Sequence, residues 1–123
     1  MTEDEVAKII VDASYSIHTG LGPGLLESVY EACLCHELAR RGIPFRRQVA
    51  VPIIYDGVRL ATDLRLDLLV GERVIVELKA TEAMDPVFEA QLLTYLKVAN
   101  LRLGYVINFG MTRLKNGLAR RVR

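Results

Sequence analysis

The fold of this chain is decided by residues 64–80, which read LRLDLLVGERVIVELKA. Apolar and polar residues alternate on either side of the glycine, a pattern that predicts two antiparallel strands joined by a short turn. A two-residue turn would place Asp67 and Glu77 on opposite faces of the sheet and would set Val70 opposite a charged arginine. Hydrophobic patterning therefore disfavours that register.

A three-residue turn over 71–73 moves the pairing by one residue and gives a consistent pattern. Asp67 then faces Glu77, and Arg65 faces Lys79. One face of the sheet becomes entirely apolar: Leu66, Leu68, Val70, Val74, Val76 and Leu78. The other face carries the charges together with two apolar residues, so we expect it to be covered as well. Opposed residues lie about 4.5 to 5.5 Å apart, close enough for the two carboxylates to share one cation.

The opposed carboxylates predict a divalent-metal site, because two such groups repel each other unless a cation or a proton intervenes. Asp67, Glu77 and the backbone carbonyl of Leu78 supply the hard oxygen ligands that Mg²⁺ prefers, and Mn²⁺ is a substitute. Lys79 on the same face would orient or deprotonate an attacking water, or neutralise charge on a phosphate. Spacing alone leaves open a structural cluster of ion pairs among these groups and Arg65.

Two helices are predicted before this stretch. Thr2 and Glu5 form a capping box that begins a helix over about residues 3–18, and the glycine-rich segment 19–24 ends it. A second helix begins at about Leu25 and ends near Gly42, because a glycine there caps the helix and a proline follows.

The remaining elements complete an α/β fold with a mixed central sheet flanked by helices. The Asp56-Gly57 turn predicts that strands 45–55 and 58–70 pair as a hairpin, and a third strand covers 74–80. Asp85 and Pro86 begin a helix that extends to about residue 100. Two further strands are predicted, over 103–109 and about 117–122.

Size and composition say less about the function than this stretch of sequence does. A chain of 123 residues predicts one domain over 1–123, and 51% hydrophobic with 25% charged residues exclude a disordered chain. An acidic start and the lack of a long apolar run predict a cytoplasmic protein without a membrane segment. Cys33 and Cys35 are expected to be reduced thiols.

The net charge of +1 gives no overall basic field. Two local groups of cations could still track a phosphate backbone, unless they are simply solvated surface residues. One comprises Arg113, Lys115, Arg120, Arg121 and Arg123, and the other comprises Arg40, Arg41, Arg46 and Arg47.

Four segments together resemble the PD-(D/E)xK nuclease superfamily. Asp67 followed by Glu77-Leu78-Lys79 looks like its Asp and Glu-x-Lys core. Residues 24–30, GLLESVY, match the Gly-x-x-Glu-x-x-Tyr motif of its small GxxExxY branch. Residues 91–95, QLLTY, match the Gln-x-x-x-Tyr motif of exonuclease-like members, and 103–110 resemble the strand of that branch that follows. The signature proline before the aspartate is replaced by Leu66.

The resemblance implies a restriction-endonuclease-like core and a Mg²⁺-dependent nuclease acting on nucleic acid, with DNA favoured over RNA as the substrate. Asp67 and Glu77 would be the principal metal ligands, Glu27 an additional one, and Lys79 the catalytic lysine. Gln91 and Tyr95, one helical turn apart, would position the lysine, the metal-bound water or the phosphate, and Tyr30 would orient Glu27. A non-catalytic nucleic-acid-binding or regulatory module is the alternative, and action as a homodimer or with a protein partner stays open.

Overall fold

A computed structural model describes all 123 residues, which form three α-helices, one short 3₁₀ helix and seven strands. The helices are α1 (Glu3–Leu21), α2 (Glu27–Arg40) and α3 (Pro86–Ala99), and the 3₁₀ helix is Leu114–Gly117. The strands are β1 (Phe45–Val51), β2 (Ile54–Tyr55), β3 (Val58–Arg59), β4 (Leu64–Val70), β5 (Val74–Lys79), β6 (Leu103–Asn108) and β7 (Leu118–Val122). None of the helices is both long enough and apolar enough to cross a membrane.

Five strands form one sheet in the order β1-β4-β5-β6-β7. Strands β5 and β6 are parallel, because α3 connects them, and the other neighbours are antiparallel. The prediction of a mixed sheet flanked by helices is confirmed.

Each face of the sheet carries its own hydrophobic cluster. On one face, apolar residues of α1 and α2 pack on alternate residues of β4, β5 and β6, and the rings of Tyr30 and Phe109 stack with centroids 4.6 Å apart. On the other face, Leu92 and Leu96 of α3 pack on Leu69 and Ile75. The face predicted to carry the charges is therefore covered, as expected.

The predicted three-residue turn between β4 and β5 is confirmed. Val70 pairs with Val74, Leu69 with Ile75 and Leu68 with Val76. Gly71 and Glu72 adopt positive φ values of 61° and 55°, which allow the tight reversal. The paired ladder ends at Leu68, directly before Asp67 would meet Glu77.

The long hairpin across Asp56-Gly57 is shorter than predicted. That turn closes only the small β2–β3 ribbon, whereas β1 pairs with β4 in a separate register. Pro52 directly follows β1, and a proline has no N–H to continue a ladder. The prediction of two continuous strands over 45–55 and 58–70 was wrong for this reason.

Two other expectations about β4 are corrected. Leu66 packs with Leu69 and Ile75 on the α3 side, not with Leu68. On the neighbouring strand β1, Gln48 has a left-handed backbone (φ 49°). The pairs on either side of it are Arg47 with Leu68 and Val49 with Leu66, so Gln48 and Asp67 are not paired. Arg65 does not pair with Lys79, because the strands have separated before that point.

The first two helices also differ at their ends. Helix α1 continues through Gly20 to Leu21, and its cap is Gly22 with φ 72°. Helix α2 begins at Glu27, two residues later than expected, so Leu25 and Leu26 lie in the exposed connection. The glycine-rich segment therefore ends α1 at its second glycine.

Candidate metal and nuclease site

Asp67 and Glu77 hold the separated ends of β4 and β5 through reciprocal hydrogen bonds. The backbone N–H of Asp67 donates to Oε2 of Glu77 at 2.9 Å. The backbone N–H of Leu78 donates to Oδ2 of Asp67, also at 2.9 Å. Each carboxylate thus replaces a rung of the ladder and is fixed by the opposite strand.

Burial dominates the electrostatics of this pair. Glu77 is 6% exposed. Burial, followed by the neighbouring charge of Asp67, raises the pKa of Glu77 from 4.5 to about 8. Burial also raises the pKa of Asp67, and the hydrogen bond from Leu78 opposes that rise. Both carboxyl groups are therefore harder to ionise than in water, and added positive charge would favour their ionised form.

That positive charge does not come from an ion pair within the protein. None of the ion pairs in the structure includes Asp67, Glu77, Lys79 or Arg65. Arg65 donates instead to the backbone carbonyl of Gln48 at 3.0 Å. The alternative of a structural ion-pair cluster does not agree with this geometry.

Helix α3 brings the lysine and the QLLTY motif to the same site. The Nζ of Lys79 lies 3.4 Å from Oε1 of Gln91 and 4.8 Å from the ring centroid of Phe88. Burial, then the charges of Glu77 and Asp67, raises the pKa of Tyr95. The two predicted α3 residues therefore lie beside the lysine and the carboxylates respectively.

Helix α2 closes the site from the other side. A polar cavity of about 290 Å³ is lined by Glu27, Ser28, Glu31, Gln48, Asp67 and Leu78. Burial, followed by the charge of Asp67, raises the pKa of Glu27. Glu27 thus lines the same cavity as Asp67 and is affected by its charge, although Glu27 itself is exposed.

The donor set at the strand opening fits a hard divalent cation. The N–H and C=O of a strand residue point to the same side, so the carbonyl of Leu78 faces β4 as its N–H does. Two carboxylates and this carbonyl leave the remaining positions to water and phosphate, as Mg²⁺ prefers. No three His, Cys, Asp or Glu side chains converge closely enough to hold an ion by themselves.

A comparison with family models agrees with this geometry. The model described as the PD-(D/E)XK nuclease superfamily matches residues 4–122. The chain belongs to this superfamily. PD-(D/E)XK nucleases generally use divalent metal ions, and their family activity is that of a nuclease. Comparisons with curated proteins and with solved structures returned no significant match.

Tyr30 has a different role from the one expected within the PD-(D/E)XK site. Its hydroxyl donates to the carbonyl of Gly22 at 2.6 Å and accepts from the N–H of Leu25 at 3.1 Å. The residue is fully buried. Tyr30 therefore fixes the connection that leads into α2, and makes no hydrogen bond to Glu27.

Asp63, a carboxylate four residues before Asp67, lies outside the cavity. It precedes β4 and forms an exposed ion pair with Arg59 at 3.5 Å. Its carboxylate is thus paired with an arginine and does not line the cavity beside Asp67.

Sequence reasoning missed three polar residues in or near the candidate site. Gln48 and Glu31 line the cavity and are joined by a 2.8 Å hydrogen bond, and Glu31 lies one helical turn after Glu27. Asn108 is fully buried, and its side chain bonds Thr81, the carbonyl of Ala83 and the N–H of Gly110. A lone asparagine in the apolar run 103–109 was the available signal for it.

Proposed function

We propose that this chain is a Mg²⁺-dependent nuclease of the GxxExxY branch that hydrolyses phosphodiester bonds in DNA, with Mn²⁺ as a substitute ion. One observation carries the proposal: two carboxylates, one of them 6% exposed, meet where two strands open, and no ion pair neutralises them. Buried carboxylates without a cation are costly, so the site favours binding one. The adjacent Lys79 then supplies a positive charge that can stabilise a phosphate oxygen during the reaction.

Each residue has a role that follows from its position. Asp67, Glu77 and the Leu78 carbonyl would hold the metal ion, which when bound polarises the phosphate and lowers the pKa of a water. Lys79 lies beside them and would donate to a phosphate oxygen or orient the attacking water.

The helices would complete the site. Gln91 holds the lysine Nζ at 3.4 Å and restricts its direction. Tyr95 would donate its hydroxyl proton to a phosphate or water near the carboxylates. Glu27 would add a further carboxylate across the cavity as an additional ligand of the metal, directly or through water.

A cleavage assay tests the proposal. Purified wild-type protein with Mg²⁺ or Mn²⁺ is incubated with single-stranded DNA, double-stranded DNA and RNA of the same sequence. We expect DNA cleavage that EDTA abolishes and that Lys79→Ala lowers by about 10² or more. Lys97→Ala removes an exposed lysine from the far end of α3 and is the matched control.

Three outcomes would contradict parts of the proposal. Equal residual cleavage by the wild type and Lys79→Ala would assign the activity to a contaminant. Cleavage of RNA alone would overturn the DNA assignment. A calorimetric titration that finds no Mg²⁺ binding, even with DNA present, would favour a non-catalytic nucleic-acid-binding module.

A further inference from the structure

More than half of the cations of this chain lie beside an acidic side chain. Of its 16 lysines and arginines, nine are within ion-pair distance of an acidic side chain. The remaining seven are Arg65, Arg73, Lys79, Lys97, Arg113, Lys115 and Arg123. A nucleic-acid backbone binds most strongly where cations have no competing partner, so the contact surface is sought among these seven.

The structure breaks up both basic clusters seen in the sequence. In the first, Arg120 pairs with Asp4 and Arg121 with Glu89, and Arg123 donates to the side chain of Asn100 and a backbone carbonyl at the far end of the sheet. All four arginines of the second cluster, Arg40, Arg41, Arg46 and Arg47, pair with glutamates. Only Arg113 and Lys115 of the original clusters remain without a protein partner for their side chains.

Topology places these two cations at the end of the sheet that holds the carboxylates. Strands β5 and β6 are parallel, with Lys79 paired to Asn108, so the loop after β6 emerges where β5 ends. The N–H of Phe109 donates to the carbonyl of Lys79 at 2.9 Å. We call residues 110–117 the β6–β7 loop.

The β6–β7 loop is anchored, although its cations are exposed. Leu114, between the two cations, is 3% exposed and belongs to the α1–α2 cluster. The carbonyl of Met111 lies 2.8 Å from Nε2 of His18 on α1. These contacts put the loop on the side of the sheet where α2 presents Glu27. Arg113 and Lys115 themselves point away from the core and are exposed.

We propose that Arg113 and Lys115 bind the phosphate backbone of the nucleic-acid substrate beside the scissile phosphate. This inference rests on the proposed nuclease function and adds the surface that holds the strand. The β6–β7 loop begins at the end of β6, which lies two strand spacings, roughly 10 Å, from the strand of Asp67, so one nucleic-acid strand could contact both. Nothing in these contacts reads base edges, so the binding is independent of sequence.

Two double variants of equal charge test the surface. Arg113→Ala with Lys115→Ala removes the proposed contacts, and Arg73→Ala with Lys97→Ala removes two unpaired, exposed cations from the opposite end of the sheet. Binding to a fluorescent 20-nucleotide duplex and its single strand is measured by anisotropy in Ca²⁺ to suppress cleavage, over a series of NaCl concentrations. Thermal unfolding of both variants checks that they are folded.

We expect the loop variant to bind the duplex roughly tenfold or more weakly than wild type at 0.1 M salt, and the slope of log K against log salt to flatten by about 1.8. The control variant should keep both values. Equal losses of affinity in the two variants, or no loss in the loop variant, would overturn the proposed contact surface. Wild-type cleavage and the proposed function would be unaffected by that result. Failure of the wild type to bind or cut any nucleic acid would overturn both.

Discussion

Replacing Glu77 by glutamine should change how stability depends on pH. In the folded protein without metal, burial raises the pKa of Glu77 to about 8, whereas the unfolded chain titrates near 4.5. Between these values the folded state holds a proton that the unfolded state has released. The stabilisation from this proton is complete below pH 4.5 and is lost as the pH rises through about 8.

The size of the effect follows from the same two values. One pKa unit corresponds to about 1.36 kcal/mol, so wild type should lose roughly 3 to 4 kcal/mol of this contribution between pH 5 and pH 9. In Glu77→Gln the side chain does not titrate, and its amide oxygen can still accept the hydrogen bond from the N–H of Asp67. The variant should therefore gain stability relative to wild type as the pH rises.

Urea denaturation in EDTA at pH 5, 7 and 9 measures the free energy of unfolding of wild type and of the variant. Subtracting the variant's value from the wild-type value largely cancels the contribution of other titrating groups. Glu82→Gln, in an exposed loop, is the matched control and should show a constant difference from wild type. A wild-type minus Glu77→Gln difference that stays constant within about 1 kcal/mol from pH 5 to 9 would refute the burial argument.

Three further results are expected. At pH 8, 10 mM Mg²⁺ should stabilise wild type by roughly 1.4 kcal/mol for a Kd near 1 mM. The stabilisation should be smaller at pH 6, because binding must displace the Glu77 proton. Thermal unfolding at constant ionic strength measures both values, and equal shifts at the two pH values would contradict this expectation. Gly110→Ala should cost roughly 1 to 3 kcal/mol in urea denaturation, because its Cβ would meet the Thr81 backbone, whereas Gly20→Ala on α1 has open space and should not destabilise. Gln91→Ala should lower kcat by roughly tenfold to a hundredfold and leave Mg²⁺ stabilisation unchanged; an unaltered kcat would remove its positioning role.

Alternation of apolar residues was enough to predict the centre of the sheet. The β4–β5 register follows from the apolar face alone, since a shift of one residue would have exposed that face. The same reasoning failed for Leu66, because a left-handed residue on the neighbouring strand, Gln48, lies beside the point where β4 changes face. Sequence periodicity does not report such a distortion.

The site was predictable where its residues share a strand or a helix turn, and not where distant segments meet. Asp67, Glu77 and Lys79 follow from strand register, and Gln91 and Tyr95 from helical spacing together with the family resemblance. Tyr30 and Asn108 act by tying loops that are far away in the sequence, through bonds to Gly22 and to Thr81. Such long-range hydrogen bonds leave no periodic pattern in a single chain.

The most direct measurement of the central claim is a crystal structure of the wild-type protein soaked in Mn²⁺, with anomalous data collected near the manganese edge. We predict one anomalous peak between the carboxylates of Asp67 and Glu77, within coordination distance of the Leu78 carbonyl, and its loss in Asp67→Asn. A crystal at pH 8 or above with no peak at this position, or a peak that survives in Asp67→Asn, would contradict the assignment of these carboxylates to a metal-dependent nuclease site.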